Sequence, residues 1–86
     1  MSAAVIDEMV TSARAGNTKY APVLGSEDLR DQLASDYGVT RENIAVVSGG
    51  QAGLFAALCA AIDPKDTVVV IDPHYATYPS TVRGAG

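Results

Sequence analysis

The sequence has little cysteine, no basic cluster and no long hydrophobic run, and each shortage excludes a class of function. Its 86 residues contain one cysteine, Cys59, so the chain can form neither an internal disulfide nor a cysteine-based metal cluster. A reducing, cytoplasmic setting is therefore expected. We expect Cys59 itself to be a small buried hydrophobic residue. No other set of His, Asp and Glu has the spacing of metal ligands, and no metal is expected.

The basic residues are outnumbered and dispersed. Six lysines and arginines stand against ten acidic residues, which gives a formal net charge of -4. The six cationic residues are Arg14, Lys19, Arg30, Arg41, Lys65 and Arg83. Because nucleic acids are held by patches of positive charge, a nucleic-acid partner is not expected.

Long hydrophobic runs are also missing. The longest, Ala52–Ile62, is about half as long as a membrane-spanning helix requires. The first eight residues have neither the basic segment nor the apolar segment of a signal peptide. We therefore expect no membrane partner. The composition, 48% hydrophobic and 19% charged, is that of an ordinary folded protein.

The hydrophobic pattern predicts an α/β fold in the order helix-helix-strand-helix-strand-helix. The helices are predicted over residues 3–15, 27–37, 51–62 and 75–83, and the strands over 43–48 and 67–71. Both strands are apolar on both faces, which is typical of buried strands in a parallel sheet. Helix 51–62 is apolar on nearly every side and is expected to be buried all round. Because two strands alone do not make a stable sheet, the chain is expected to be part of a larger α/β domain.

The first candidate site is the turn Ser48–Gln51, called here the glycine turn, between the first strand and the third helix. A helix N-terminus offers free N–H groups and a partial positive charge, and Gly49 and Gly50 let an anion approach the backbone. Ser48 and Gln51 can add side-chain donors. A plain tight turn explains the same glycines.

A nucleotide site is a third interpretation of this region. A strand, a glycine-rich turn, a helix, a second strand and then Asp72 is the layout of a dinucleotide-binding unit. The glycines Gly49, Gly50 and Gly53 do not, however, spell the pattern G-x-G-x-x-G.

The second candidate site is the segment Asp72–Pro79, which follows the second strand. Ligands of open α/β sheets bind at such strand ends. Tyr75 and Tyr78 are three residues apart, and one of them could stack on a heteroaromatic ring. In the alternative interpretation Tyr78 packs in the core and Tyr75 is a surface aromatic. His74 is expected to be a solvated loop residue.

Four segments, in order and with matching spacing, resemble the class I/II aminotransferases, a fold-type I family. Tyr20–Arg30 is similar to the family's Y-x-P-x-x-G-x-x-x-L-R, Ser48–Gln51 to S-G-[AGT]-[QK], Ile62–Val70 to L-x-P-G-D-x-V-x-V, and Asp72–Tyr75 to P-x-[YW]. The resemblance extends over about residues 3–86. It departs from the family at Lys65, where a glycine is usual, and this should affect only the turn.

The resemblance implies a fold and a cofactor. Residues 1–86 would be part of the large domain that binds pyridoxal 5'-phosphate, a partial three-layer sandwich. Ser48, Gly49, Gly50 and Gln51 would hold the cofactor phosphate, and Tyr75 would stack on the pyridine ring. Tyr20 would reach the cofactor phosphate of the neighbouring subunit in a homodimer, and Arg30 would be structural, in a surface ion pair.

The resemblance also implies the activity of a parent enzyme, the transfer of an amino group between an amino acid and a 2-oxo acid. The family's Schiff-base lysine, its acidic partner for the pyridine nitrogen and its arginine for the substrate carboxylate all come after the equivalent of Gly86. Lys19 and Lys65 do not stand in the family's S-K context. We therefore expect a fragment without catalytic residues. The alternatives are a non-catalytic phosphate-binding or scaffold module, or a fragment of a nucleotide-binding domain.

Overall fold

Four α-helices and one short 3₁₀ turn make up the regular structure of the chain. A computed structural model describes residues 1–86. The elements are α1 (Ala3–Arg14), α2 (Glu27–Tyr37), the 3₁₀ turn (Arg41–Asn43), α3 (Gly50–Ala61) and α4 (Tyr78–Ala85). The four predicted helices are confirmed, although α4 begins three residues later than expected. No helix has both the length and the apolar character that crossing a membrane would require.

The chain divides into two compact units, Met1–Ala45 and Val46–Gly86. The first unit contains α1, α2 and the 3₁₀ turn, and the second contains α3 and α4. In the first unit, the N–H of Val5 donates to the side chain of Ser2, the N-cap of α1, over 3.4 Å. Ser26 stands at the predicted N-cap of α2, but its side chain makes no capping bond. Gly38 ends α2 in the left-handed conformation, with φ of 67°.

Arg30 is structural, as predicted, but the predicted surface ion pair is wrong. The residue is only 9% exposed. Its Nε donates to the carbonyl oxygen of Ile44 over 2.8 Å, and its Nη2 donates to the carbonyl oxygen of Arg41 over 2.9 Å. The planar guanidinium presents two N–H groups side by side, so one side chain satisfies both carbonyls and fastens α2 to the 3₁₀ turn.

The ion pairs on this surface belong to Arg41. Its guanidinium donates two hydrogen bonds to the Asp31 carboxylate, and its Nη1 lies 3.3 Å from Oε2 of Glu27. The hydrogen bonding to Arg41 holds the pKa of Asp31 below its ordinary value of 3.8. It also raises the pKa of the Arg41 guanidinium. Because the pair is exposed to solvent, it adds little to stability.

The prediction of two strands is not confirmed, because the structure contains no β-strand. Residues 67–71 have no regular secondary structure and form no backbone hydrogen bonds to a neighbouring segment. Val69 and Ile71 are 89% and 85% exposed, whereas Val68 and Val70 are half-buried. Only one face of this segment is therefore covered. A parallel strand needs neighbours that supply partners for its N–H and C=O groups, and residues 43–48 do not pair with it.

Helix α3 is not buried all round, which corrects a second expectation. It has no buried residue; Leu54 and Leu58 are half-buried, and Phe55 is exposed. Cys59, expected to be buried, is exposed as well. The helix packs against α4. An apolar helix can bury only the faces that its neighbours cover, so a two-helix unit leaves much of α3 in water.

Little of the chain is removed from solvent as a result. Its accessible surface is 7085 Å², about 1.5 times the area that a compact domain of this mass exposes. The buried residues are Arg30, Ala34 and Thr81. Hydrophobic burial therefore contributes less here than in a self-contained domain of this length.

Lys65 lies at the second central position of the turn that follows α3. Its φ is 79°, and the N–H of Asp66 donates to the carbonyl oxygen of Asp63 over 3.1 Å. Pro64 precedes it at the first central position. A turn of this kind favours glycine where Lys65 stands, because a side chain is strained at positive φ.

Candidate functional site

The glycine turn leads directly into the first turn of α3. Gly49 is the N-cap residue and has φ of 85°, a conformation that L-residues with a side chain rarely adopt. A Cβ added at Gly49 or at Gly50 would meet no atom within 4 Å. The backbone on this side of the turn therefore faces open space.

The start of α3 leaves three backbone donors free. The first helical hydrogen bond runs from the N–H of Gly53 to the carbonyl oxygen of Gly49, over 3.3 Å. The N–H groups of Gly50, Gln51 and Ala52 have no acceptor. The first turn holds no acidic side chain to neutralise the positive end of the helix dipole. Free donors, open space and a positive end together suit an anion.

The side chain of Gln51 was expected to donate to the same anion as the backbone N–H groups, but it is bonded to α4 instead. Its Oε1 accepts a hydrogen bond from the hydroxyl of Thr77 over 2.8 Å, and its Nε2 donates to the hydroxyl oxygen of Thr81. Both ends of the amide are thus bound to threonines at the start and in the first turn of α4. The side chain of Gln51 is thus held toward α4, whereas its backbone N–H has no acceptor.

A groove beside the glycine turn joins it to the second candidate segment. The groove has a volume of about 430 Å³ and is lined by Gly50, Gln51, Leu54, Tyr75 and Tyr78. Tyr75 is 67% exposed, and its ring centroid lies 6.1 Å from that of Tyr78, with the planes inclined by 56°. An aromatic face is therefore open to a ligand ring next to the free backbone donors.

Tyr78 is a lining residue that the sequence argument did not assign to the site. It is 37% exposed and so does not pack in a core, and its ring also stacks on that of His74 with centroids 6.2 Å apart. The spacing of the two tyrosines, three residues apart, was the available signal. His74 is exposed, as expected, and its Nδ1 lies 2.9 Å from the carbonyl oxygen of Tyr75.

The remaining predicted residues are exposed. The side chain of Ser48 forms no hydrogen bond within the chain, and that of Asp72 forms none either. Tyr20 belongs to the first unit, where it is fully exposed and lines a hollow together with Asn17 and Pro22. Gly53 has a packing role, because a Cβ added there would lie 3.1 Å from Cγ2 of Val47.

The second unit fits a phosphorylated aromatic ligand such as pyridoxal 5'-phosphate. The observation that supports the fit is the groove lined by Gly50, Gln51 and Tyr75. The unfilled space at Gly49 and the free N–H group of Ala52 adjoin these residues in the chain. The phosphate would lie on the N–H groups and the ring against Tyr75. No histidine, cysteine or carboxylate cluster of three or more members accompanies them.

Comparison with known proteins places the chain among aminotransferases. The model of the family described as Aminotransferase class I and II matches residues 1–86. Aspartate/prephenate aminotransferase of Thermus thermophilus is 42% identical over 77 residues, which cover 83% of this chain and 20% of the relative. Arginine–pyruvate transaminase of Pseudomonas aeruginosa is 33% identical over an alignment of 90 positions, and the alignment covers 98% of this chain and 23% of the relative.

A third relative, aspartate aminotransferase of Streptomyces avermitilis, is 34% identical over 74 residues, covering 79% of this chain and 18% of the relative. The chain therefore spans about a fifth of the length of these curated relatives. No solved structure matches it significantly.

Proposed function

Because the chain belongs to the class I and II aminotransferase family, we propose that residues 46–86 form the phosphate- and ring-binding part of a pyridoxal 5'-phosphate site. The whole enzyme would transfer an amino group between an amino acid and a 2-oxo acid. The single observation that carries the proposal is the groove on which Gly50 and Gln51, two of the three residues with free N–H groups at the start of α3, lie beside the exposed Tyr75.

The chain's own residues bind and orient in this proposal. The N–H groups of Gly50, Gln51 and Ala52 hold the cofactor phosphate, with the hydroxyl of Ser48 beside them. Tyr75 fixes the plane of the pyridine ring. When bound, pyridoxal phosphate supplies an electron sink for bonds at the substrate α-carbon.

The proton-transferring lysine of such a reaction would come from outside these 86 residues. Lys65 follows the C-terminal end of α3, whereas the free donors are at its N-terminal end. Twelve helical residues put about 18 Å between the two ends, which is well beyond the reach of a lysine side chain. Lys19 lies in the first unit.

Tyr20 is proposed to act across a homodimer of the whole enzyme, on the cofactor phosphate of the neighbouring subunit. Tyr20 is completely exposed in the first unit, so its hydroxyl is accessible to a partner chain. Its hydroxyl would add one hydrogen bond to those of the backbone donors.

Ligand binding by the purified chain tests the proposal. Pyridoxamine 5'-phosphate is the suitable probe, because it has no aldehyde that could react with Lys19 or Lys65. Equilibrium dialysis should show tighter binding of this probe than of inorganic phosphate or pyridoxamine, by about tenfold in each case. Tyr75→Ala should remove the advantage over inorganic phosphate, whereas Tyr37→Ala, a change of an exposed tyrosine in the first unit, should not. Equal affinity for all three ligands would contradict the proposal.

The nucleotide interpretation has its own arm in this experiment. It requires Asp72 to bind a ribose, so Asp72→Asn should weaken the binding of AMP. The aminotransferase proposal predicts that Asp72→Asn leaves pyridoxamine 5'-phosphate binding unchanged, since Asp72 does not line the groove.

A further inference from the structure

A polar bridge, made of Gln51, Thr77 and Thr81, joins the first turn of α3 to the start of α4. The hydroxyl of Thr77 donates to Oε1 of Gln51 over 2.8 Å, and Nε2 of Gln51 donates to the hydroxyl oxygen of Thr81. The Thr81 hydroxyl donates in turn to the carbonyl oxygen of Thr77, over 2.9 Å. The donors and acceptors thus form a closed set in which each hydroxyl has a partner.

The bridge is partly withdrawn from water. Thr81 is 7% exposed and is the only buried residue of the second unit. Polar groups that lose contact with water must keep their hydrogen bonds, because an unpaired buried group costs about 1–3 kcal/mol. Within the bridge this applies to the Thr81 hydroxyl, since Thr77 is half-buried and Gln51 is exposed.

The position of the bridge connects the two halves of the candidate site. Gln51 is the second residue of α3 and contributes one of its three free N–H groups. Thr77 is the N-cap residue of α4 and follows Tyr75 by two positions. Its hydrogen bond to Gln51 consequently connects the chain two residues after Tyr75 to the first turn of α3.

We propose that Thr77 and Thr81 are positioning residues. Through Gln51 they hold the Tyr75 ring in the position, relative to the free N–H groups of α3, that lets one phosphorylated pyridine contact both. This inference rests on the proposed function. It assigns to Gln51 a role other than phosphate contact through its side chain. It also assigns a role in ligand choice to two threonines that touch no ligand.

Thr77 and Thr81 should affect the affinity for pyridoxamine 5'-phosphate but not the affinity for inorganic phosphate. If the two threonines only stabilised the fold, their removal would lower both affinities. Inorganic phosphate needs only the N–H groups of α3, which are backbone groups and stay in place when a threonine hydroxyl is removed. Pyridoxamine 5'-phosphate also needs the ring of Tyr75. Loss of the bridge should therefore weaken the second ligand and spare the first.

The test compares Thr81→Val and Thr77→Val with the original chain, using both ligands in equilibrium dialysis. Each valine variant should bind pyridoxamine 5'-phosphate about fivefold more weakly, which corresponds to one neutral hydrogen bond, and inorganic phosphate unchanged. Thr81→Ser keeps the hydroxyl and should restore the original ratio. Ser80→Ala is the matched control, because its hydroxyl bonds only the Thr77 carbonyl oxygen on the same helix.

The outcomes are distinct. An unchanged ratio of the two affinities in the Thr77→Val variant, whose side chain is less buried, overturns the inference even if Thr81→Val fails to fold. A proportional loss of both affinities overturns it too, since that is the signature of general unfolding. If the original chain does not prefer pyridoxamine 5'-phosphate over phosphate, the proposed function fails before the variants are compared.

Discussion

The two units of the chain use their polar groups in opposite ways. In the first unit, Arg30 and Arg41 are committed to structure, the former to two backbone carbonyl oxygens and the latter to carboxylates. In the second unit, side-chain amide and hydroxyl groups bond one another, while three backbone N–H groups of α3 are left free. The difference teaches that charge does not mark the candidate site: its free polar groups are neutral backbone donors beside glycines.

Removal of the Arg30 guanidinium should give the largest effect and should be confined to the first unit. Arg30→Met leaves two carbonyl oxygens without donors, and the free energy of unfolding of this unit should fall by about 3 kcal/mol. Native-state hydrogen exchange should then be faster in α2 and unchanged in α3. Arg14→Met, at the exposed end of α1, is the control. Equal acceleration in α2 and α3 would contradict the comparison.

Gly50→Ala should impair binding in the second unit without loss of stability. The new Cβ meets no atom of the chain, but it occupies the space in which a phosphate would approach the backbone. We expect both inorganic phosphate and pyridoxamine 5'-phosphate to bind about tenfold more weakly, at an unchanged thermal midpoint. Gly84→Ala, where a Cβ would make only an ordinary contact with Phe55, should leave both affinities intact. If Gly50→Ala binds both ligands as tightly as the original chain, the phosphate does not bind at the N-terminus of α3.

Lys65→Gly should stabilise the second unit modestly. The substitution relieves the strain of a side chain at φ of 79° and should add about 1 kcal/mol, less the entropy that glycine gains on unfolding. Urea denaturation followed by circular dichroism measures it. Lys19→Gly is the control, because Lys19 has no positive φ and should show no gain. A loss of stability in Lys65→Gly would mean that the lysine side chain contributes more than its backbone strain costs.

Asp31→Asn should give the smallest effect, visible only in the pH dependence of the first unit. Because Arg41 lowers the pKa of Asp31 in the folded state, the ion pair stabilises the unit above the ordinary pKa of 3.8. This stabilisation disappears as the pH falls through the lowered pKa. The variant should therefore lose less stability on acidification than the original chain, in thermal melts between neutral and acid pH. Asp7→Asn, on α1, should behave like the original.

The helices could be predicted from the sequence because their signals are local. Hydrophobic spacing placed α1 within a residue of its end, and the glycine at position 38 marked the end of α2. The strands could not be confirmed, because a strand depends on partners that are distant in sequence. Segment 67–71 has the composition of a strand, yet it has no hydrogen-bonded neighbour.

The sequence supplied candidate site residues but not their side-chain contacts. The glycine turn and Tyr75 lie on one groove, which the order of the motifs suggested. The side-chain partners of Gln51 and Arg30 could not be read from the sequence, since a glutamine or arginine has several acceptors within reach and only packing selects among them. That Tyr78 lines the groove could not be predicted either, because this too depends on packing.

The uncovered face of residues 67–71 has a consequence for handling the chain in solution. Thr67–Ile71 is uncharged, free of proline and rich in β-branched residues, and its backbone groups lack strand partners. Such a segment is a template for edge-to-edge pairing between copies, the first step of cross-β aggregation. Binding and stability measurements therefore belong at low protein concentration, and a lysine in place of Val69, one of the two outward-facing side chains, should raise the concentration at which the chain precipitates.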